Sequence, residues 1–155
     1  MPKFILTTRV AASVERCFDL ARDIDFHLRS MSTTGERAVD GRTSGLIDLG
    51  ETVTWEARHF GVRWQMTSRI AAMERPVYFR DEMVAGPFAA FGHDHRFESD
   101  DGATLMTDVV EFRSPWGVVG RAVDALVMAR YLRHLIERRN RTLKREAEMG
   151  SRQLH

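Results

Sequence analysis

Three polar side chains on neighbouring predicted strands could carry chemistry, namely His93, His95 and Asp108. The two histidines are two residues apart, which places them on one face of a strand. With a turn centred on Asp100 and Asp101, hairpin counting places His93 roughly opposite Asp108, within reach of a hydrogen bond from imidazole to carboxylate. Such a pair can orient a polar group of a ligand, or act as acid and base near neutral pH. A buried pair that only satisfies its own hydrogen bonds is the alternative.

The histidine pair is also compatible with a metal ion, but a third ligand would then have to be Asp108, and no ligand motif requires it. The chain has no Gly-rich phosphate loop between a strand and a helix. We therefore expect neither a metal nor a cofactor. Asp81 is expected near the rim of the site, or accepting from a neighbouring hydroxyl. His27 and His59 could each stand at the mouth of a cavity, with a plain surface position as the favoured alternative.

A predicted antiparallel sheet must hold these side chains. Between residues 34 and 113 the apolar residues repeat with a period of two, and turn residues recur at regular intervals, which predicts a meander of strands. The turns are Asp40-Gly41, Phe60-Gly61, Glu74-Arg75-Pro76, Gly86-Pro87 and Asp100-Asp101-Gly102. Residues 3–11 suit a first strand, and two short helices capped by Ser13 and Asp23 should follow it.

One long helix is predicted from Trp116 to about Glu148, because this stretch has a helical composition and no proline. It carries one continuous apolar stripe and a second apolar face confined to its first half. The second face consists of Val119, Val123, Leu126 and Val127. This face needs the short helices, a ligand or a second protomer to cover it. The tail, about residues 144–155, is expected to be a solvated helix end that frays.

The predicted inner surface is rich in aromatic and sulfur-containing side chains, which suit a ring system or an acyl chain. Plain core packing is the alternative for each of them singly. The expected ligand-contacting residues are Phe26, Trp55, Trp64, Met66, Phe79, Met83, Phe91, Val110, Val123, Leu126 and Val127, with His93 and Asp108 as a polar anchor.

Composition limits the classes of partner. The 155 residues, 43% of them apolar, suit a single domain over 1–155. A net charge of +1 provides no general attraction for nucleic acid. Cys17 is the only cysteine, so there is no internal disulfide, and neither a signal peptide nor a transmembrane segment is evident. We expect a soluble, cytoplasmic protein.

The order strand, two short helices, six strands and long helix, together with particular segments, resembles a known superfamily. These segments are Gly50-Glu51-Thr52-Val53-Thr54-Trp55, Ser68-Arg69-Ile70, Gly86-Pro87-Phe88, Phe91-Gly92-His93-Asp94-His95-Arg96-Phe97, Thr104-Leu105-Met106-Thr107-Asp108 and Ser114-Pro115-Trp116-Gly117. The chain resembles the START-related (SRPBCC) superfamily of polyketide cyclases, lipid-transfer domains and plant pollen allergens. It looks most like the bacterial subgroup described as cyclase or dehydrase.

The resemblance implies an α+β helix-grip fold, in which a curved antiparallel sheet of about seven strands surrounds a long C-terminal helix and leaves a cavity between them. The first hypothesis for function is binding of a hydrophobic or aromatic small molecule, lipid or polyketide-like, in that cavity. The second is a cyclase, aromatase or dehydratase that uses His93 or His95 with Asp108. The third is an interaction module that forms a homodimer or docks a partner protein through Val119, Val123 and Val127.

Overall fold

The computed structural model describes residues 2–153, excluding the side chains of residues 124, 125 and 151–153. The elements in chain order are β1 (Lys3–Val10), α1 (Val14–Ala21), α2 (Ile24–Ser30), a 3₁₀ turn (Ser32–Thr34), β2 (Arg37–Gly41), β3 (Thr52–His59), β4 (Val62–Glu74), β5 (Tyr78–Ala85), β6 (Ala90–Asp100), β7 (Ala103–Arg113), α3 (Gly117–Val123), a π-helical segment (Asp124–Met128) and α4 (Ala129–Gln153). No helix among the described residues is long and apolar enough to cross a membrane.

The seven strands form one antiparallel sheet in the order β1-β7-β6-β5-β4-β3-β2. Every neighbouring pair except β1 and β7 is also consecutive along the chain, as expected for a meander. The sheet is curved, and α4 packs across it, with most of its strand contacts on β1. The predicted α+β helix-grip fold is confirmed.

A tight turn at Phe60 and Gly61 sets the register of β3 and β4. Both residues have positive φ, 54° and 75°, which is the backbone of a two-residue turn that matches the twist of the strands it joins. Glycine adopts this conformation without steric cost, whereas Phe60 is a less usual occupant. The turn pairs Ala57 with Trp64, so the side chains predicted to face inward from the two strands lie on the same face of the sheet.

The two short helices begin at the predicted caps. The Ser13 hydroxyl accepts a hydrogen bond from the backbone N–H of Arg16, and the Asp23 carboxylate accepts from the backbone N–H groups of Asp25 and Phe26. Their apolar faces are buried against the sheet and the distal half of α4, in the larger of two core clusters. They therefore close one side of the space between sheet and long helix.

The C-terminal helix differs from the single regular helix that the composition predicts. It starts at Gly117, passes through the π-helical segment Asp124–Met128 and continues as α4 to Gln153. A π turn holds one extra residue, so it rotates the following side chains relative to the preceding ones. The two apolar faces expected along one regular helix are therefore out of phase between α3 and α4.

The expectation of a frayed tail from about residue 144 was wrong for the first part of that range. Leu143 and Ala147 are fully buried, the Lys144 amine donates to the carbonyl of Arg9 at 2.9 Å, and the Arg16 guanidinium donates to the carbonyl of Ala147 at 3.0 Å. These contacts hold the helix end against β1 and α1. Residues 154 and 155 lie outside the described part.

Candidate functional site

A cavity of about 310 Å³ lies between the concave face of the sheet, α2 and the first half of α4. Apolar side chains form most of its wall. Six of the predicted ligand-contacting residues line it, namely Trp55, Trp64, Met66, Phe79, Phe91 and His93. They come from β3, β4, β5 and β6, because the alternation of a strand directs every second side chain to the concave face.

The structure does not bring the other predicted residues to the cavity wall, as far as the described residues show. Phe26 and Val110 are fully buried in the two core clusters, where they hold α2 and β7 in place. Val123 is half-buried, and Leu126 and Val127 are 70% and 47% exposed. Met83 is half-buried next to the Gly86 turn. For Val123, Leu126 and Val127 the difference follows from the π-helical segment, which changes the phase of the C-terminal helix.

The floor of the cavity contains the predicted contact between His93 and Asp108. His93 Nε2 lies 2.8 Å from one carboxylate oxygen of Asp108, and the side-chain amide of Asn140 on α4 donates to the other oxygen at 2.7 Å. Asp108 is buried directly behind His93 and does not itself line the cavity. Because a carboxylate can only accept, the proton of this contact is on Nε2, and in the neutral form of the imidazole Nδ1 is then an acceptor.

A second histidine-carboxylate pair lies beside the first. His95 Nε2 is 2.7 Å from Asp81, so the partner of this carboxylate is an imidazole and not the hydroxyl that was one of the two expectations for it. The imidazoles of His93 and His95 are stacked with 3.7 Å between ring centroids, and Phe79 stacks on the ring of His95 at 4.1 Å. These side chains can meet because they are neighbours on one face of adjacent strands, where β5 pairs Asp81 with His93 of β6.

Burial and the paired charges shift the pKa values of this network. Burial, together with the neighbouring His93, lowers the pKa of His95 from 6.5 to about 4. Burial alone would raise the pKa of Asp108, but the hydrogen bond from His93, the positive charge of that ring in its protonated form and the nearby Arg139 hold the pKa well below its usual range. The pKa of Asp81 is lowered in the same way, by His95 against burial. Both carboxylates are therefore ionised, while His95 is neutral at pH 7.

Arg139 completes the floor, although it was not among the residues expected at the site. It is 4% exposed and lines the cavity. Its guanidinium donates to the carbonyl of Ala21 at 2.9 Å and to Asn140 at 3.3 Å, and it lies 3.9 Å from Asp108. The sequence does indicate this position, because Arg139 is three residues beyond Ile136 and four before Leu143, which places it on the buried apolar stripe of the helix.

Asp81, His93 and His95 present donor atoms that lie within 4.8 Å of one another, a spacing that a metal ion could bridge. The third member of this cluster is thus Asp81, not Asp108 as expected from the sequence. In the observed arrangement the His95 N–H already donates to Asp81, so a cation would have to displace that proton.

The cavity mouth is built by the turn between β3 and β4 and by the start of α4. His59 Nδ1 is 2.5 Å from the hydroxyl of Tyr131, whose ring also lies 4.6 Å from that of Phe60. Burial lowers the pKa of His59 and raises that of Tyr131. On the other side, His27 contacts Glu36 at 2.8 Å. Both histidines are half-buried and line the cavity, so the structure has them at the cavity mouth and not at the plain surface position that was favoured.

Comparison with known protein families gives one match that spans the chain. The family described as "Polyketide cyclase / dehydrase and lipid transport" matches residues 1–148. No curated protein sequence is significantly similar to the chain.

Solved structures share the fold at low sequence identity. TTHA0849 from Thermus thermophilus is 16% identical, with a TM-score of 0.73 over 97% of this chain and 99% of that one. Protein Ms6760 from Mycobacterium smegmatis is 18% identical, with a TM-score of 0.68 over 99% and 92%. The ginseng major latex-like protein 151 from Panax ginseng is 14% identical, with a TM-score of 0.69 over 94% and 97%. At these identities the likeness concerns the fold, which is that of the Bet v1/SRPBCC-like proteins.

Proposed function

This chain belongs to the polyketide cyclase / dehydrase and lipid transport family, and we propose that it binds a hydrophobic or aromatic small molecule, lipid or polyketide-like, between the sheet and the C-terminal helix. The observation that carries the proposal is the division of the cavity into apolar walls and a polar floor. Trp55, Trp64 and Phe91 belong to the walls, while His93 and Arg139 belong to the floor. Pockets that hold small molecules combine a largely apolar surface with a few polar groups that fix orientation.

The volume of the cavity limits the ligand. At about 310 Å³ it lies near the lower end of the range of roughly 300–1,000 Å³ for small-molecule sites. A compact molecule with a few rings, or a single acyl chain, suits this space better than a lipid with two long chains. The ligand should carry a polar group at one end, because the floor offers Nδ1 of His93 as an acceptor and Arg139 as a donor.

The proposal is tested by native mass spectrometry of the purified protein beside solvent extraction of the denatured protein. We expect an apolar molecule to co-purify with the wild type, and to be lost or reduced in Trp64→Ala. Leu49→Ala is the control, since Leu49 is 58% exposed and does not line the cavity. Failure of the wild type to retain any molecule, and to bind added fatty acids and polycyclic aromatic probes, would overturn the proposal.

An enzymatic function is the second candidate, and the geometry at His93 favours it. In a cyclase, aromatase or dehydratase, Nδ1 of His93 would accept a proton from a bound polyketide-like substrate while Asp108 stabilises the imidazolium that forms. His95 is the less suitable base, because its pKa of about 4 makes it weakly basic at pH 7. Incubation of the extracted ligand with fresh protein separates the two functions. Turnover that is lost in His93→Gln while ligand binding is retained would establish the enzyme.

A further inference from the structure

The mouth of the cavity is surrounded by apolar side chains that face solvent. Phe60, Trp64 and Trp116 line the cavity and yet are 64%, 37% and 61% exposed. Aromatic side chains of this size are usually covered in a folded protein. Their position at the opening distinguishes them from apolar residues scattered singly over a surface.

The adjoining helical segment extends this apolar surface. Val118 and Val119 on α3 are 73% and 71% exposed, and Leu126 and Val127 on the π-helical segment are 70% and 47% exposed. Together with Phe60, Trp64 and Trp116 they form what we call the mouth face. Exposed apolar residues that gather beside one opening, and do not lie singly over the surface, mark a region that contacts another molecule or a membrane.

The charge of the same region is unlike that of the rest of the chain. Three segments that border the mouth, residues 57–66, 84–92 and 113–133, contain six arginines and one aspartate, a net charge of +5. Two of these arginines, Arg63 and Arg133, are paired with Glu56 and Glu137 just outside the segments, so a smaller positive charge remains. The complete chain has a net charge of only +1, so the remainder is acidic. Arg58, Arg113, Arg121 and Arg130 are all exposed. The mouth face is therefore apolar and basic together.

This combination identifies the partner. A second copy of the chain would bring one net positive surface against another, and like charges at an interface oppose association. Exposed aromatic and aliphatic side chains among arginines are instead typical of surfaces that lie in the headgroup region of an anionic bilayer. We propose that the mouth face docks on a negatively charged lipid surface, with Phe60, Trp116 and Leu126 in the headgroup region.

Docking in this orientation turns the cavity opening toward the bilayer. An apolar molecule could then pass between membrane and cavity along a path lined by Phe60, Trp64 and Trp116, with little exposure to water. The attachment is peripheral, because no helix among the described residues could span a bilayer. It does not require that the cavity be occupied, so it can be tested on the protein as purified.

Flotation with vesicles is the direct test. We expect the wild type to float with vesicles containing about one third phosphatidylglycerol in phosphatidylcholine, and to bind pure phosphatidylcholine about tenfold less. High salt should weaken binding, because the arginines are exposed. The double variant Arg121→Glu with Arg130→Glu should lose at least about 20-fold in affinity, since each basic residue near an anionic surface contributes about fivefold.

Two variants test the contribution of the apolar side chains of the mouth face to vesicle binding. Phe60→Asn removes the aromatic ring at a position where φ is 54°, a conformation that asparagine adopts readily, so the turn should persist while binding falls. Leu126→Ser should reduce binding in the same way. Leu49→Ser is the matched control, because Leu49 is 58% exposed but precedes β3 at the end of the sheet opposite the mouth, and it should bind like the wild type.

Three results would overturn the proposal. The first is equal recovery of wild type with anionic and neutral vesicles, and the second is wild-type binding by the arginine double variant. The third is a dimer in sedimentation, formed without lipid and dissociated by Leu126→Ser, which would assign the mouth face to a second copy of the chain. Absence of a ligand in native mass spectrometry would contradict the proposed function and leave the flotation result unaffected.

Discussion

The imidazole of His93 donates to a carboxylate oxygen of Asp108 across 2.8 Å, although the two residues are not opposite each other in the sheet. The backbone register pairs Asp108 with His95 and places Val110 opposite His93. The contact is therefore diagonal between two strands, which leaves the other histidine free to turn toward Asp81. This arrangement gives each buried imidazole its own carboxylate.

Removal of one carboxylate should destabilise the protein strongly. Asp108→Asn leaves a buried network in which Arg139 and Asn140 lose an ionised partner, and breaking a buried charged pair costs about 3 kcal/mol. We expect a lower denaturant midpoint in urea unfolding followed by circular dichroism. Glu98→Gln makes the same chemical change on the exposed face of β6 and should shift stability by less than about 0.5 kcal/mol. Equal midpoints for Asp108→Asn and Glu98→Gln would contradict this role for the network.

Stability should fall as the pH drops below neutrality, and His95 should be a principal cause. Its pKa is about 4 in the folded state against 6.5 ordinarily, so between these values the unfolded chain binds a proton that the folded chain does not. Stability is therefore lost as the pH falls from about 6.5 to about 4, by about 3 kcal/mol for this group. Protonation of Asp81 and Asp108, whose folded pKa values are depressed, adds a further loss below about pH 4.

Urea unfolding at several pH values between about 7.5 and about 4.5 measures how the unfolding free energy depends on pH. A matched pair of variants shows which histidine causes this dependence. His95→Gln should flatten the dependence of the unfolding free energy on pH, whatever its effect on absolute stability. His134→Gln removes an exposed histidine and should leave the slope unchanged. A wild-type slope in His95→Gln would assign the acid sensitivity to other groups.

The thiol of Cys17 should react only after local opening of α1. Cys17 is fully buried on the inner face of α1, and burial raises the pKa of its thiol, so both access and ionisation oppose modification. We expect slow labelling by an aromatic disulfide reagent in buffer and complete labelling in denaturant. Ser13→Ala removes the cap of α1 and should accelerate labelling about fivefold, corresponding to a loss of about 1 kcal/mol. Rapid labelling of the wild type would show that α1 opens freely.

The architecture followed from the sequence because its signals are local and redundant. The turn at Phe60 and Gly61 and the caps at Ser13 and Asp23 each act within a few residues, and the alternation of β3 and β4 then determines which side chains face inward. An error in the predicted pairing of two strands can still leave their side chains assigned to the correct face of the sheet. The hairpin count placed His93 opposite Asp108, whereas the true turn is one residue later. This shifts the pairing by two residues and keeps both side chains on the inner face.

The parts of the site that sequence reasoning missed depend on contacts between distant elements. Asp81 reaches His95 only because β5 lies next to β6, and the pairing of a carboxylate with a particular histidine depends on the twist of the sheet. The π-helical segment changes the phase of the C-terminal helix, so Leu126 and Val127, expected at the ligand, face solvent. The pattern of residue types along a regular helix does not predict the extra residue of a π turn.

Filling the cavity should abolish ligand binding without disturbing the fold. Ala57 is buried on β3, lines the cavity and lies opposite Trp64, so a leucine at this position projects into empty space and does not overpack the core. We expect Ala57→Leu to weaken binding of a fluorescent apolar probe at least about tenfold, with a change in unfolding free energy below about 1 kcal/mol. Ala71→Leu places the same side chain at an exposed position of β4 and should bind the probe like the wild type. Unchanged binding by a stable Ala57→Leu protein would mean that the probe binds outside the cavity, and it would remove the principal support for the proposed function.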